Sequence, residues 1–177
     1  MLDLVTAIRF DRRMSSGKTK PGLLACIKAD GDEVELIAKF SAGCERRAIA
    51  LAVEGIAAML AADLDLPIPE PFCVKVDDEF IRTITDPDIA ELARNSAPVA
   101  FGSKKLPAGF STFPVNKSIP QALIDQAADI FAFDALIRQI RIADPRTPIV
   151  FRTAPIMRFT ITNWPSSNPL SVGNRPG

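Results

Sequence analysis

Histidine is absent from all 177 residues. That absence excludes Ser-His-Asp and Cys-His nucleophile systems, and with them any zinc site built on imidazole. Proton transfer by this chain would fall to Asp, Glu or Lys. Cysteine is scarce: Cys26, Cys44 and Cys73 are odd in number and far apart. They argue against a disulfide framework and for free thiols in a reducing compartment. Neither sign of charge is in excess, with 21 Lys+Arg against 21 Asp+Glu. Nothing in that balance recommends nucleic acid or an anionic membrane as a partner. Long apolar runs are missing too. The N-terminus, MLDLVTAIRFDRR, has no apolar leader segment, and no stretch reaches membrane-spanning length. The expectation is a soluble, cytoplasmic chain.

A glycine is missing where one nucleotide motif would need it. Ser15 to Pro21 reads SSGKTKP, and Gly-Lys-Thr is the end of the Walker pattern G-x-x-x-x-G-K-[ST]. That pattern requires glycine five positions before Gly17, and the residue there is Arg12. The Walker reading fails. The glycine-rich G-x-G-x-x-G pattern is absent as well, since only Gly17 and Gly22 are at hand.

What is present is a globular composition, 47% hydrophobic, long enough for one domain with a core or for one lobe plus part of another. Leu4 to Phe10 is a short apolar run that predicts a strand. A loop, Asp11 to Gly22, separates it from a second strand, Leu23 to Lys28. Asp30-Gly31 signals a hairpin, and Val34 to Phe40 alternates as a third strand. Arg46 to Leu64 predicts a helix, with Ile49, Val53, Ile56 and Leu60 on one face and Pro67 and Pro69 stopping it. Phe72 to Val76 and Pro98 to Phe101 predict two more strands. Asp77 to Asn95 between them is mixed and partly helical. Ile119 to Gln139 predicts a strongly apolar helix.

Two charges stand in apolar surroundings. Glu54 is the only charge in AIALAVEGIAAMLAA, residues 48 to 62. Lys39 lies between Ala38 and Phe40, on the same side of its strand as Ile37. Taken singly, each has an ordinary solvent-facing reading. Taken together, an ion pair from strand lysine to helix glutamate spares both the cost of an unpaired buried charge. The element order is strand, hydroxyl-bearing loop, strand, strand with Lys, helix with Glu, two strands, then helix. Protein kinases have this order in their N-terminal lobe, where the lysine grips ATP phosphates and the glutamate holds the lysine.

The blocks SSGKTKP, VELIAKFSAGCERR, EGIAAMLAADLDLPIPEPF, FGSKKLPAGFST and IFAFDALIRQ resemble those of the small HipA-like kinase domain proteins of bacteria. The resemblance covers about residues 5 to 139. It implies an α+β fold: a protein-kinase-like N-terminal lobe, with an antiparallel sheet of about five strands plus one helix, followed by an incomplete helical lobe. The lobes would span residues 1–105 and 106–139. It implies ATP-dependent phosphoryl transfer to a hydroxyl acceptor, with ATP and Mg2+ as ligands. Lys39 matches the phosphate-binding lysine and Glu54 its partner; Ser15, Ser16, Gly17 and Lys18 match the phosphate-covering loop. Asp134 matches a family block in a structural role.

Residues 140–177 depart from that pattern. They hold six of the fifteen prolines, the only tryptophan, five arginines and one acid, Asp144. The family's catalytic loop, resembling S-D-R-R-x-x-N-P-N-C, and its metal-binding segment, resembling I-D-H-E-L-A, are not there. Joining the last base of each codon to the first two of the next, Ile140 to Val150 permits S-D-R-R-P-x-N-P-N-C. Ile156 to Pro165 permits Y-A-I-Y-D-H-E-L-A, its leucine and final alanine forced by the single codon of Trp164. The expectation is therefore an off-frame tail after about Gln139, and a truncated chain that lacks catalysis. The rival is a genuine divergent C-terminus. Asp144 and Asn163 are the tail's nearest stand-ins for catalytic groups, and neither matches the family's spacing. A cut lobe would leave Ile130, Phe131, Phe133, Leu136 and Ile137 short of packing surface, which predicts marginal stability. Two other classes remain at this stage: a non-catalytic pseudokinase or partner-binding module, and an unrelated α+β domain in which SSGKTKP is a polar turn.

Overall fold

The computed structural model describes residues 1–15, 17–107 and 121–142. Ser16, the segment 108–120 and the tail from 143, with Asp144 and Asn163, lie outside the described residues. The chain divides into two compact units, residues 1–105 and 106–177.

The first unit holds five strands, β1 (Asp3–Arg13), β2 (Gly22–Ile27), β3 (Glu33–Lys39), β4 (Pro71–Lys75) and β5 (Val99–Lys104), and three helices, α1 (Arg47–Asp63), α2 (Asp78–Thr83) and α3 (Pro87–Arg94). Antiparallel pairing of β1 with β2 and β2 with β3 follows the hairpin signals in the sequence. The sheet itself corrects the expectation. It is a closed barrel in the order β1-β2-β3-β5-β4 rather than an open antiparallel sheet, and three helices accompany it rather than one. The closure has a local cause. The register of β1 against β2 shifts between Ala7 and Arg9 and again between Phe10 and Arg12. Such bulges coil a strand. The coiled β1 spends its outer half on β2, while Asp3 to Thr6 pair in parallel with Phe72 to Lys75 of β4. Among the described residues, the five-stranded barrel is then left with no open edge.

The barrel is filled from alternate positions. In β3, Val34, Leu36 and Ala38 are buried while Ile37 and Lys39 are half-buried, so Lys39 does share the outward face with Ile37. Leu24, Leu36, Phe72 and Val74 are fully enclosed in the interior. Removing that much apolar surface from water, at about 25 cal/mol per Å2, is what holds the unit together.

Helix α1 forms where the alanine-rich run predicts it, but it packs on a different face. Leu51, Gly55, Ala57, Ala58 and Ala61 are buried. Of the large apolar stripe, Ile49, Ile56 and Leu60 are exposed. Small residues let the helix axis approach the barrel closely, and that close approach wins over the larger side chains. The mixed stretch resolves into α2 and α3, each started by an aspartate cap. Asp77 accepts from the Phe80 amide at 2.9 Å, and Asp86 accepts from Asp88 and Ile89 at 3.0 and 3.3 Å. Pro87 adds a first-turn proline to α3.

In the second unit the long helix α4 (Ile124–Ile142) follows a 3-10 turn, Gln121–Leu123. It starts five residues later than the sequence suggests. Phe133 and Ile137 are buried, whereas Phe131 and Leu136 are exposed. Among the described residues, no helix is long and apolar enough to cross a membrane.

Candidate functional site

Strand β3 ends at Lys39, and the chain turns at once through a 3-10 segment, Ser41–Gly43, into α1. This short connection delivers a helix that starts beside the end of its own strand. Glu54 lies two turns into α1, and Gly55 follows it. A Cβ on Gly55 would stand 3.2 Å from Leu2 Cδ1 and 4.0 Å from the Phe101 ring. Phe101 is the residue paired with Lys39 across β3 and β5. The bare backbone at Gly55 thus seats α1 on the barrel directly beside the lysine.

The two charges meet. Lys39 Nζ donates to Glu54 Oε1 at 2.9 Å and to Oε2 at 2.8 Å. Their side chains retain 29% and 16% exposure, so the pair is shielded on one side and open on the other. An ammonium carries three N–H donors, and the carboxylate takes two. The third remains for an anion arriving from the open side. A lysine held this way is a fixed point charge suited to phosphate oxygens.

Cys44 lies close enough to feel both charges. Its thiol is raised above its usual range, first by burial, then by the Glu54 carboxylate, with Lys39 opposing. The thiol donates to the Phe40 carbonyl at 3.6 Å, so it is a packed, protonated group and not a nucleophile. Cys26 is buried in the barrel and is pushed up to about 12 by burial.

The loop between β1 and β2 lies at the same end of the barrel. Gly22 pairs with Ala38, one residue before Lys39. The Met14 amide donates to the Pro21 carbonyl at 2.9 Å and the Lys20 amide to the Gly17 carbonyl at 3.2 Å. Gly17 has φ of 119°, which only glycine adopts at little cost. Ser15, Gly17 and Lys18 are exposed on this loop. Of the sequence-expected site residues, Lys39 and Glu54 are in direct contact, and Ser15, Gly17 and Lys18 share their end of the barrel. Ser16 lies outside the described residues. Asp134 lies in α4 of the second unit.

Sequence reasoning missed the residues that set this geometry. Gly55 had a signal, as the one glycine in the alanine run and the neighbour of its one charge. Ser41 had none. It is buried, and its hydroxyl accepts from the Ala97 amide at 2.8 Å, 56 residues away.

Among the described residues, no group of three or more His, Cys, Asp or Glu is gathered as a metal-binding cluster. The carboxylate nearest the lysine, Glu54, is already engaged by it.

Neither a curated protein nor a solved structure matches the chain. A family model described as HipA-like kinase does match, over residues 7–141. The match spans well over half of the chain, covers both the lysine strand and the glutamate helix, and sets aside the unrelated α+β alternative: the chain belongs to the HipA-like kinase family.

Proposed function

We propose that residues 1–105 form an ATP-binding, kinase-type N-terminal lobe, and that this chain binds the nucleotide in the cytoplasm without transferring its phosphate. The observation that carries the first half is the two-point contact between Lys39 and Glu54. In this reading Lys39 meets the phosphates, Glu54 holds it, and the loop's amides and the hydroxyls of Ser15 and Ser16 donate to phosphate oxygens. Support for the second half is the family match, which stops at residue 141, and the residues that follow it. From there to the end the only acid is Asp144, and Asn163 does not follow it at the family's spacing, so this stretch does not repeat the pair of groups that orients a hydroxyl and holds Mg2+. The off-frame reading of residues 140–177 accounts for that composition.

Titration with ATP, with and without Mg2+, tests both halves. Weak binding that is indifferent to Mg2+, with no loss of the γ-phosphate, is expected. Mg2+-dependent turnover would overturn the inactive reading, and absence of any ATP-induced melting shift would overturn the nucleotide site. The genomic nucleotide sequence tests the tail. Continuous coding in one shifted frame through both missing motifs is expected, and a stop codon within them would refute it. A non-catalytic partner-binding module is the second reading. The uncharged, exposed stripe of Ile49, Ile56 and Leu60 on α1 is the observation that favours it.

A further inference from the structure

We propose that Gly43 is a positioning residue: its missing side chain is the seat on which the β1–β2 loop rests, and this seat holds the loop over Lys39. The inference rests on the nucleotide reading above for its consequence, but not for its geometry.

Gly43 closes the 3-10 turn between Lys39 and α1. A Cβ built on it runs into the Thr19 carbonyl oxygen, and the Thr19 carbonyl carbon would lie 3.3 Å away. Both are loop backbone, which cannot swing aside as a side-chain end can. Gly43 does not have a positive φ; among the described glycines only Gly17 and Gly31 do. An alanine there is therefore tolerated by its own backbone, and what it displaces is the loop.

The seat is itself anchored. The Ala42 amide donates to Ser96 Oγ at 2.9 Å, and Ser96 Oγ donates to the Leu92 carbonyl at 2.7 Å. The Ala97 amide donates back to Ser41 Oγ at 2.8 Å. Two reciprocal bonds thus fasten the 3-10 turn to the end of α3. Loop and seat also share a cleft of about 320 Å3, with Lys20 from the loop, Ala42 from the turn and Leu92 from α3 on its walls. One short segment, Ser41 to Gly43, follows the lysine, precedes the glutamate helix and supports the loop. It fixes the three parts relative to one another, as a phosphate site requires.

Trypsin cleavage of the Lys18–Thr19 bond in the full-length protein reads the loop directly, since Lys18 is exposed and the Lys20–Pro21 bond resists the enzyme. Gly43→Ala should cleave there about tenfold faster than the parent and bind ATP about tenfold more weakly, the size expected when an overlap is relieved by local opening. Gly31→Ala is the control: its φ of 93° strains an alanine, and nothing lies within 4 Å of the added methyl. It should lose stability with cleavage within about twofold of the parent. Ser96→Ala loosens the seat without touching the loop and should also speed Lys18–Thr19 cleavage; it decides the matter if Gly43→Ala fails to fold. Unchanged cleavage in both variants, or an equal rise in Gly31→Ala, overturns the proposal. Faster cleavage in Gly43→Ala than in the parent, with neither protein responding to ATP, would uphold the seat and overturn the nucleotide reading.

Discussion

Breaking the Lys39–Glu54 contact is the most direct perturbation of the site. At 2.8 Å the gross Coulomb attraction is about 6 kcal/mol for an effective dielectric of about 20. Desolvation takes back most of it. The pair is neither fully exposed, where such contacts are worth about 0–1 kcal/mol, nor fully enclosed, where removing one partner costs about 3–5 kcal/mol. With side chains 29% and 16% exposed, the coupling should be about 1–2 kcal/mol. Lys39→Met, Glu54→Gln and the double variant, compared by urea unfolding, close the cycle that measures it. Each single change should cost more than half of what the double costs, because a single change strands a charge and the double strands none. In the same set, Lys39→Met should abolish the ATP-induced melting shift. Glu54→Gln should weaken ATP binding about tenfold, since the lysine remains but is no longer held. A coupling below about 0.3 kcal/mol, with ATP binding unchanged in Glu54→Gln, would refute the view that the glutamate positions the lysine.

The remaining predictions concern packing and protonation. Gly55→Leu should lift α1 from Phe101 and Leu2, cost about 1–3 kcal/mol in urea unfolding, and weaken ATP binding along with it. A loss of stability with ATP affinity intact would show that the helix spacing does not govern the site. The Cys26 thiol stays neutral in the fold up to about 12, against 9.0 as its ordinary value. Between those limits the unfolded chain holds fewer protons, so stability falls as pH rises, by up to about 1.4 kcal/mol per unit. Cys26→Ala should shed that alkaline slope after a constant offset, and identical slopes in both proteins would refute the assignment. With Cys26 and Cys44 buried and Cys73 half-buried, Cys73 should react first with a disulfide reagent in the native protein. Simultaneous reaction of all three would indicate global opening.

Much of this protein is legible locally. Strand alternation in VELIAKF and the Asp30-Gly31 hairpin depend on neighbours a few residues away, so the one-dimensional pattern carries them. The ion pair was legible too, because a single carboxylate and a single ammonium in apolar runs have few other partners. The family blocks lie in the same residues. Barrel closure was not legible: it depends on two register shifts in β1 and on a parallel pairing of Asp3–Thr6 with a strand about 70 residues on, which no local period encodes. The packed face of α1 was not legible from its large apolar stripe, since hydrophobicity ranks side chains by size while the barrel selected for closeness. Composition and periodicity by themselves determined an α+β chain with a lysine strand, a glutamate helix and a hydroxyl loop, because those follow from local propensity and from the cost of a lone charge. Only the tertiary structure decided that Gly55 sets the helix against the barrel and Gly43 sets the loop on its turn. A glycine's contribution there is the space it leaves, and space exists only once distant segments have met.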